Sequence, residues 1–312
     1  MTDGPLSGFG PADSRFGVVS LIGAPNAGKS TLLNRIIGTK VSIVSPKVQT
    51  TRSRVLGIWL EGAVQIAFVD TPGIFAPRRR LDRSMVRAAW DGAGEADRVL
   101  VLVDARQGIS QDVTRIIETL AKRQHPKAMK PGLILNKVDL VQKDKLLELA
   151  AQLGVGDLFG DVFMVSALTG DGVGDLLENL AASTPPGPWH YPEDQISDMP
   201  QRLLASEITR EKLYLQLQQE LPYRATVETE AWTEQKDGSA RIEQVIYVER
   251  DSQKAIVLGK GGKRIKALGG AARKELEELL ERRIHLFLFV KVRDGWENDP
   301  ERYREMGLDF NA

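Results

Sequence analysis

The sequence predicts an α/β domain with a mostly parallel sheet and helices on both faces, followed by a smaller α+β domain. Over residues 16–183, short apolar runs alternate with helical segments, which is typical of such a sheet. Residues 184–200 are rich in proline and have no long apolar period, so they are predicted to form a linker. Beyond residue 200 the order of elements changes. A chain of 312 residues is long enough for two domains.

Five apolar runs in the first domain are predicted to be strands buried on both faces. They are GVVSLIG (17–23), VQIAFVD (64–70), VLVLVD (99–104), LILN (133–136) and VFMVSA (162–167). A helix should begin at the glycine loop after the first run, because Leu32, Leu33, Ile36 and Ile37 fall on one face at helical spacing. Residues 1–15 lack the basic start and apolar run of a signal peptide, so we expect a flexible tail there.

The second domain, residues 201–312, is predicted to have the order α-β-β-α-α-β. A helix from about Gln201 to Glu220 leads to the strands RATVETEAW and ARIEQVIYVE, which an Asp-Gly turn at 237–238 can join. A short helix before Gly259, a long leucine-bearing helix and the strand IHLFLFVKV follow. We also expect a short helix after Pro300.

Composition narrows the kinds of site that this chain can carry. The chain has no cysteine, which excludes disulfides, thiolate metal ligands and cysteine nucleophiles. Its three histidines are scattered, so a metal should be a hard ion on oxygen ligands. Lys plus Arg and Asp plus Glu number 42 each, so any basic surface must be local. No run approaches the roughly 20 apolar residues of a membrane span, and we expect a cytoplasmic protein.

The loop GAPNAGKS, Gly23 to Ser30, fits the phosphate-binding pattern G-x-x-x-x-G-K-[ST] between a strand and a helix. Its backbone N–H groups can hold phosphates, Lys29 can reach the outer phosphates, and Ser30 can offer its hydroxyl to Mg2+. A chance glycine turn is the alternative, which the strand before it and the helix after it disfavour. The predicted phosphate-binding residues are Gly23, Asn26, Ala27, Gly28, Lys29, Ser30 and Thr31.

Two later segments complete the predicted magnesium site. Asp70 ends the VQIAFVD run and can hold the metal's ligand shell, while the N–H of Gly73 can meet a γ-phosphate. The polar loop SPKVQTTRSR, residues 45–54, can fold over Mg2+ through Thr50 or Thr51, of which we favour Thr51. An ordinary solvated loop is the alternative. We predict Ser30, Thr51 and Asp70 as metal ligands, and Lys29, Thr51 and Gly73 as catalytic residues.

The predicted base site lies at the ends of the last two strands. In Asn136-Lys137-Val138-Asp139, the Asp139 carboxylate can accept both N–H groups of a guanine edge, which adenine does not present. Ser166-Ala167 can supply a backbone N–H to the guanine oxygen. Each motif alone could be a turn or cap, but together and in order they predict a guanine-nucleotide site. Its further residues are Asp70, Thr71, Gly73, Asn136, Lys137, Asp139, Ser166 and Ala167.

A second glycine-and-lysine loop, VLGKGGKRIK at 257–266, lacks a hydroxyl after its lysine and should bind no second nucleotide triphosphate. It contains the G-x-x-G form with which a helix-loop-helix clamps about four nucleotides of single-stranded backbone. A glycine-rich turn with solvated lysines is the alternative, which the order α-β-β-α-α-β disfavours. The predicted RNA-binding residues are Gly259, Lys260, Gly261, Gly262, Lys263 and Lys266.

These motifs resemble those of the translation-factor-related GTPases, and the chain from Phe16 to about Gly307 resembles the Era GTPase family. The resemblance rests on GAPNAGKSTLLN, SPKVQTTR, DTPG, NKVD and SA, and on WHYPEDQISD, ASEITREKL and GKGGKRIK. It implies a P-loop GTPase domain followed by a type II KH domain. It also implies a GTP-hydrolysing switch that binds the 3′ end of small-subunit ribosomal RNA and assists maturation and assembly of that subunit.

The resemblance further implies GTP and GDP as ligands, Mg2+ as cofactor and a peripheral contact with the cytoplasmic face of the membrane. We expect a monomer. Ile74 follows DTPG where Ras-like GTPases carry a glutamine that positions water, so hydrolysis should be slow. In similar GTPases an asparagine at the place of Asn26 helps to hold K+, although here it could simply shape the turn.

Two other functions stay open at this point. One is a membrane-surface or cell-cycle signalling GTPase whose C-terminal domain binds lipid or protein. The other is an ATP-driven enzyme.

Overall fold

The computed structural model describes residues 9–123, 129–154, 157–217 and 221–312. Within these, the chain forms two compact units. The N-terminal unit comprises the described residues of Met1–Ser42 and Thr51–Asp198, and the C-terminal unit comprises those of Ile43–Thr50 and Met199–Ala312. Residues 45–50 of the predicted polar loop therefore group with the C-terminal unit, and its residues 51–54 group with the N-terminal unit. Residues 184–198 of the expected linker group with the N-terminal unit.

The N-terminal unit is a six-stranded sheet in the order β2-β3-β1-β4-β5-β6, with parallel neighbours except for the antiparallel pair β2 and β3. Its strands are β1 (Arg15–Gly23), β2 (Val55–Glu61), β3 (Val64–Asp70), β4 (Arg98–Asp104), β5 (Gly132–Asn136) and β6 (Asp161–Val165). Its helices are α1 (Lys29–Ile37), α2 (Arg80–Glu95), α3 (Gln111–Lys122), α4 (Lys143–Gly154) and α5 (Val173–Ser183). The five predicted strands are all present, and β2 was not predicted.

The apolar patterns explain this arrangement. Every residue of β4 and of β5 is buried, as expected for central parallel strands covered on both faces. Helix α1 buries Leu32, Leu33 and Ile36, whereas Ile37, expected on the same face, is only partly buried. Because parallel strands carry their ligands at their carboxyl ends, the residues after β1, β3 and β5 are brought to one edge.

The residues expected to form the linker lie along the N-terminal unit. Trp189 is buried and donates from its indole Nε1 to the Ala63 carbonyl oxygen at 3.0 Å. The Gln65 amide donates to the Tyr191 carbonyl oxygen at 2.9 Å. Phe9, in the segment expected to be a flexible tail, exchanges backbone hydrogen bonds with Trp189. The packed chain on this side therefore begins before β1.

The C-terminal unit has the predicted order α-β-β-α-α-β, in a sheet ordered β7-β8-β9. Its elements are α6 (Gln201–Gln216), β7 (Ala225–Glu234), β8 (Ala240–Val248), α7 (Asp251–Leu258), α8 (Lys263–Leu280), β9 (Ile284–Val292) and α9 (Pro300–Glu305). Strands β7 and β8 are antiparallel, and β8 and β9 are parallel. Helix α6 was expected to reach Glu220, which lies outside the described residues.

The helices and the sheet of this unit share a core that includes Leu213, Ile246, Val257 and Leu268. Burial of these side chains fixes α7 and α8 against one face of the sheet. The loop between the two helices is therefore presented on a rigid support. None of the helices in the described residues is long and apolar enough to cross a membrane.

Candidate functional site

The phosphate loop leaves β1 at Gly23 and enters α1 at Lys29 through a left-handed turn. Asn26 and Gly28 have φ angles of 62° and 99°. A Cβ atom at Gly28 would lie 2.2 Å from the Asn136 amide nitrogen, so only glycine fits there. This turn directs the N-terminus of α1 toward the loop, as a phosphate site requires.

Lys29 is buried under this loop, and its ammonium donates to the carbonyl oxygens of Gly23 and Ala24 at 3.2 Å each. Burial lowers the pKa of Lys29 to about 8, and the nearby charge of Asp70 opposes this shift. The ammonium is thus held in the loop by weak, neutral acceptors. A phosphate oxygen would be a stronger partner.

Three hydroxyls surround the Asp70 carboxylate. The Ser30 hydroxyl donates to Asp70 Oδ2 at 2.6 Å and lies 2.9 Å from Thr51 Oγ1. Ser42 also donates to Asp70 Oδ2, at 2.9 Å. Burial raises the pKa of Asp70, against the effects of the Lys29 charge and the three hydroxyls. The structure therefore brings Ser30, Thr51 and Asp70 together, while Thr50 is directed to the Lys47 carbonyl oxygen at 2.8 Å.

This donor set fits Mg2+. Asp70 is fully buried, and its Oδ1 atom has no hydrogen-bond partner among the described residues. Hydroxyl and carboxylate oxygens are the ligands that Mg2+ prefers, usually one or two from protein with water and phosphate completing the shell. Sequence reasoning missed Ser42, because nothing in the spacing of KVSIVS indicates that its hydroxyl meets Asp70.

The DTPG segment is fixed by contacts on both sides. Thr71 Oγ1 donates to the Leu21 carbonyl oxygen at 2.7 Å. The N–H of Ile74 donates to the Gly23 carbonyl oxygen at 3.0 Å. A Cβ atom at Gly73 would lie 2.9 Å from Pro25 Cα, so the backbone passes close to the phosphate loop. Ile74 is buried in the apolar core with Ile22 and Trp90. Its side chain is therefore enclosed by apolar neighbours.

The NKVD segment, which is predicted to bind the base, also forms hydrogen bonds with the phosphate loop. Asn136 donates to the Ala27 carbonyl oxygen at 2.8 Å and accepts from the Ala167 N–H at 3.0 Å. The N–H of Ser166 donates to the Asp171 carbonyl oxygen at 2.9 Å. The sequence predicts that Ser166-Ala167 offers an N–H to guanine, but both amides are bonded within the protein here. Their contact with the base stays a prediction, whereas the Asp139 carboxylate is exposed.

Asp104, at the end of β4, is a further residue of this site that sequence reasoning missed. Lys137 donates from Nζ to Asp104 Oδ2 at 2.6 Å and to the Asn26 carbonyl oxygen at 2.7 Å. Asp104 is 5% exposed. The available signal was an aspartate at the carboxyl end of the strand beside LILN. Asp104 therefore positions Lys137, whose ammonium connects the NKVD segment to the phosphate loop.

Replacement of Asp104 by asparagine should weaken the contact that positions Lys137 against the phosphate loop. We expect the dissociation rate of GDP to rise roughly tenfold, since a hydrogen bond between charged groups contributes about 1.5–3 kcal/mol. Stopped-flow release of a fluorescent GDP would measure this. Asp175→Asn, at an exposed position of α5, is the matched control. An unchanged rate in Asp104→Asn would contradict the positioning role. The melting temperature of the nucleotide-free variant would show whether the substitution simply destabilises the fold.

The loop between α7 and α8 has glycines in backbone conformations that most residues avoid. Gly259, Gly261 and Gly262 have φ angles of 70°, 60° and 74°. A Cβ atom at Gly259 would lie 2.7 Å from Arg264 Cβ, whereas Gly261 has open space around it. Gly261 is exposed, so its backbone is accessible to a ligand.

The predicted lysines surround this loop. Lys260, Lys263 and Lys266 are exposed, on the loop and on the first turn of α8, whose N-terminus adds positive potential. Arg264 instead donates to the Ile256 carbonyl oxygen at 2.5 Å and ties α8 to α7. The loop thus offers open space beside its backbone and exposed positive charge, which suits a phosphate backbone.

Comparison with known proteins decides the family. A family model described as 50S ribosome-binding GTPase matches residues 18–137, and a KH domain model matches residues 220–297. GTPase Era of Rhizobium meliloti is 61% identical over 301 residues, which cover 96% of this chain and 95% of the relative. The chain belongs to the Era GTPase family. GTPase Era of Brucella suis is likewise 61% identical, over 95% of this chain and 94% of its own.

Two solved Era structures are similar to this chain, each with a TM-score of 0.88 over 94% of this chain and 99% of the other. One is an Aquifex aeolicus Era variant bound to GDP and AlF4−, at 37% identity. The other is Era in complex with MgGDPNP and nucleotides 1506–1542 of 16S ribosomal RNA, at 36% identity.

Membership of the Era family confirms the fold and the enzyme class that the motifs predicted. The N-terminal unit is a P-loop GTPase domain with a mostly parallel sheet, and the C-terminal unit carries a KH domain. The protein is a GTPase, which argues against the ATP-driven alternative.

Proposed function

We propose that this protein is a GTP-operated switch that binds the 3′ end of small-subunit ribosomal RNA through its KH domain and assists maturation and assembly of that subunit. The observation that carries the proposal is that one chain holds both a magnesium-competent phosphate site and a left-handed glycine loop surrounded by lysines. A solved Era relative binds MgGDPNP and a 16S ribosomal RNA segment. The alternative of a lipid- or protein-binding signalling GTPase has no comparable support.

The nucleotide should be held by the residues that already converge at the sheet edge. Lys29 would exchange its loop carbonyl acceptors for phosphate oxygens, and Asp139 would accept from the guanine edge. Ser30, Thr51 and Asp70 would hold Mg2+, which neutralises phosphate charge when bound. The N–H of Gly73 would donate to the γ-phosphate, so catalysis comes mainly from positioning and charge.

Slow unaided hydrolysis follows from Ile74. The residue after DTPG is 1% exposed and packed in the core, so it cannot orient an attacking water. The isoleucine side chain also has no donor or acceptor. The intrinsic rate should therefore be low until another group supplies the missing orientation or charge.

Hydrolysis should be several-fold faster in K+ than in Na+, because a cation beside the phosphates would stabilise charge that Lys29 and Mg2+ leave uncompensated. Asn26, at the turn of the phosphate loop, is the residue proposed to help hold it. Phosphate release in matched chloride salts measures the effect. Equal rates in the two salts would refute the proposal.

The variant Asn26→Gly tests the residue itself. Glycine accepts the φ of 62° at this position, so the turn and GDP binding should survive. Loss of the K+ effect with retained GDP affinity would assign the cation to the side chain. A K+ effect that persists in this variant would leave Asn26 as a turn residue.

The polar loop is proposed to report the state of the γ-phosphate. Thr51 contacts Ser30, while the preceding residues are held by α6 within the C-terminal unit. There the Val44 N–H donates to Glu211 Oε1 at 2.8 Å, and Arg210 donates to the Thr50 carbonyl oxygen at 2.6 Å. A change in the position of Thr51 would therefore displace the adjacent Thr50 carbonyl oxygen, which accepts a hydrogen bond from the buried Arg210 of α6.

Crosslinking of the full-length protein in cells, followed by sequencing of the bound RNA, tests the proposed substrate. Reads should accumulate at the 3′ end of the small-subunit ribosomal RNA. Recovery of no ribosomal sequence would overturn the proposal. The cytoplasm is the proposed location, and a monomeric state and peripheral membrane contact stay predictions.

A further inference from the structure

The chain turns back where α1 ends, and Asn34 holds the returning segment. Gly38 ends the helix in the left-handed conformation, with a φ angle of 78°. The side-chain oxygen of Asn34 accepts the N–H groups of Val41 and Ser42 at 2.9 Å each. The Asn34 amide nitrogen donates to the Ser42 carbonyl oxygen at 2.7 Å. We call these three hydrogen bonds the Asn34 clasp.

The clasp places the side chain of Ser42 in the predicted magnesium site. Ser42 is 2% exposed, and its hydroxyl donates to Asp70 Oδ2 at 2.9 Å. The N–H and the carbonyl oxygen of Ser42 are both bonded to Asn34, which belongs to α1. Since α1 begins at Lys29 of the phosphate loop, the hydroxyl of Ser42 is fixed from the same helix that opens the phosphate site.

Of the three described hydroxyls at Asp70, that of Ser42 alone does not belong to a proposed metal ligand. Ser30 and Thr51 are both proposed to bind Mg2+. Ser42 bonds Oδ2, the oxygen that Ser30 also contacts, while Oδ1 has no hydrogen-bond partner among the described residues. Ser42 therefore orients the carboxylate and leaves Oδ1 available to a further ligand.

The orientation of this carboxylate bears on metal binding because Mg2+ demands nearly ideal octahedral geometry, with oxygens at about 2.0–2.1 Å. Groups that orient a metal ligand commonly change the metal affinity. Loss of a donor also has an opposite effect, since it leaves more negative charge on the carboxylate. The Lys29 charge and the Ser30 hydroxyl still act on Asp70 without Ser42, so the loss of orientation should dominate.

We propose that Ser42 is a positioning residue of the Mg2+ site. Held by the Asn34 clasp, its hydroxyl orients the Asp70 carboxylate and so raises the affinity of the nucleotide complex for Mg2+. The inference rests on the proposed metal ligands Ser30, Thr51 and Asp70. Ser42 acts through Asp70, and it is not a catalytic residue.

The test measures Mg2+ affinity in the absence of hydrolysis. The full chain is loaded with a fluorescent GDP, and the release rate is measured at free Mg2+ concentrations set with a chelator. The midpoint of this curve reports the affinity for Mg2+, and the rate in excess chelator reports nucleotide binding without metal. For Ser42→Ala we expect the midpoint to rise roughly tenfold, as is usual when a group that orients a metal ligand is lost. The rate in excess chelator should stay that of the wild type.

Two further variants separate the hydrogen bond from the packing. Ser42→Cys keeps nearly the same side-chain shape but offers only a weak S–H donor, so its midpoint should also rise. Ser84→Ala removes another buried hydroxyl, one that donates to the Arg80 carbonyl oxygen within α2 at 3.2 Å. Its midpoint should be that of the wild type.

Asn34→Ala tests the clasp itself. Because Asn34 acts through Ser42 in this proposal, its midpoint should rise as in Ser42→Ala, and the double variant should be no worse than the more affected single one. Midpoint shifts that add in the double variant would contradict the link between the two residues. Melting temperatures of the GDP complexes show whether each variant is folded.

An unchanged or lower midpoint in Ser42→Ala would overturn the proposal, and so would a wild-type midpoint in Ser42→Cys. If GDP release in excess chelator accelerates by the same factor as the midpoint shifts, Ser42 is merely structural and the proposal also fails. Failure of the proposed metal site has a different signature. In that case Asp70→Asn would leave the Mg2+ midpoint unchanged as well.

Discussion

Asp139→Asn is expected to shift the nucleotide preference of this GTPase from guanine to xanthine. The carboxylate can accept both N–H groups of the guanine edge, and the asparagine amide would face one of them with another donor. Each hydrogen bond to a charged group contributes about 1.5–3 kcal/mol, so loss of one bond and weakening of the other to a neutral bond should weaken GDP binding by roughly 10-fold to 1,000-fold. Xanthine has a carbonyl in place of the guanine amino group, and the new amide can donate to it.

The structure indicates that this substitution should change base recognition without disturbing the fold. Asp139 is exposed, so replacing it removes no core packing. Asn136 and Lys137 are held by their own contacts with the phosphate loop, which an isosteric change at Asp139 does not touch. The phosphate site should therefore survive, and the effect should be confined to the base.

Competition of GDP, XDP and ADP against a fluorescent nucleotide measures this prediction. Asp144→Asn, at an exposed position on α4, is the matched control and should retain GDP preference. An Asp139→Asn protein that still prefers GDP over XDP would show that the carboxylate does not read the base. Improved ADP binding would likewise contradict the assignment.

The parts of the site that sequence predicted are those whose chemistry is local. GAPNAGKS, DTPG and NKVD each combine a turn with the group that acts, so short spacing identifies both. Ser42 and Asp104 act on groups distant in sequence, and only folding brings them to Asp70 and Lys137. Ser42 and Asp104 can therefore be recognised as site residues only once the three-dimensional arrangement of the parallel sheet is known.

The same distinction explains the strand that was missed. Strand β2, Val55–Glu61, is partly exposed at its outer end and includes a glycine, so it lacks the continuous apolar run of the central strands. Its pairing with β3 across the turn at Gly62 makes it an antiparallel edge. Buried strands are visible in composition, whereas an edge strand is visible mainly through its partner.

Segment 43–50 shows a further limit of sequence reasoning. Part of it belongs to the loop 45–54, whose polar composition fits a solvated loop, yet the Val44 N–H and the Thr50 carbonyl oxygen are bonded to buried charged side chains of α6. ASEITREKL is a plain amphipathic helix by pattern, and nothing in its spacing marks Arg210 and Glu211 as partners of that loop. Long-range polar contacts of this kind leave no periodic signal.

Gly261→Asp should reduce RNA affinity by roughly 100-fold. The new carboxylate would stand where phosphates are proposed to pass, and juxtaposed like charges cost several kcal/mol. Gly261 has open space for a side chain, and its φ of 60° and ψ of 28° lie in the left-handed region that aspartate and asparagine tolerate best. The KH fold should therefore survive the change.

Gly261→Asn isolates the charge from the shape, since the two side chains are nearly isosteric and share the same backbone strain. We expect Gly261→Asn to retain RNA affinity within a few-fold, and Gly261→Asp to lose it, most steeply at low salt where repulsion is unscreened. Titration of ribosomal RNA 3′ fragments at two ionic strengths measures both. If the two variants bind equally, the loop does not lie against phosphate and the glycines serve only the turn between α7 and α8.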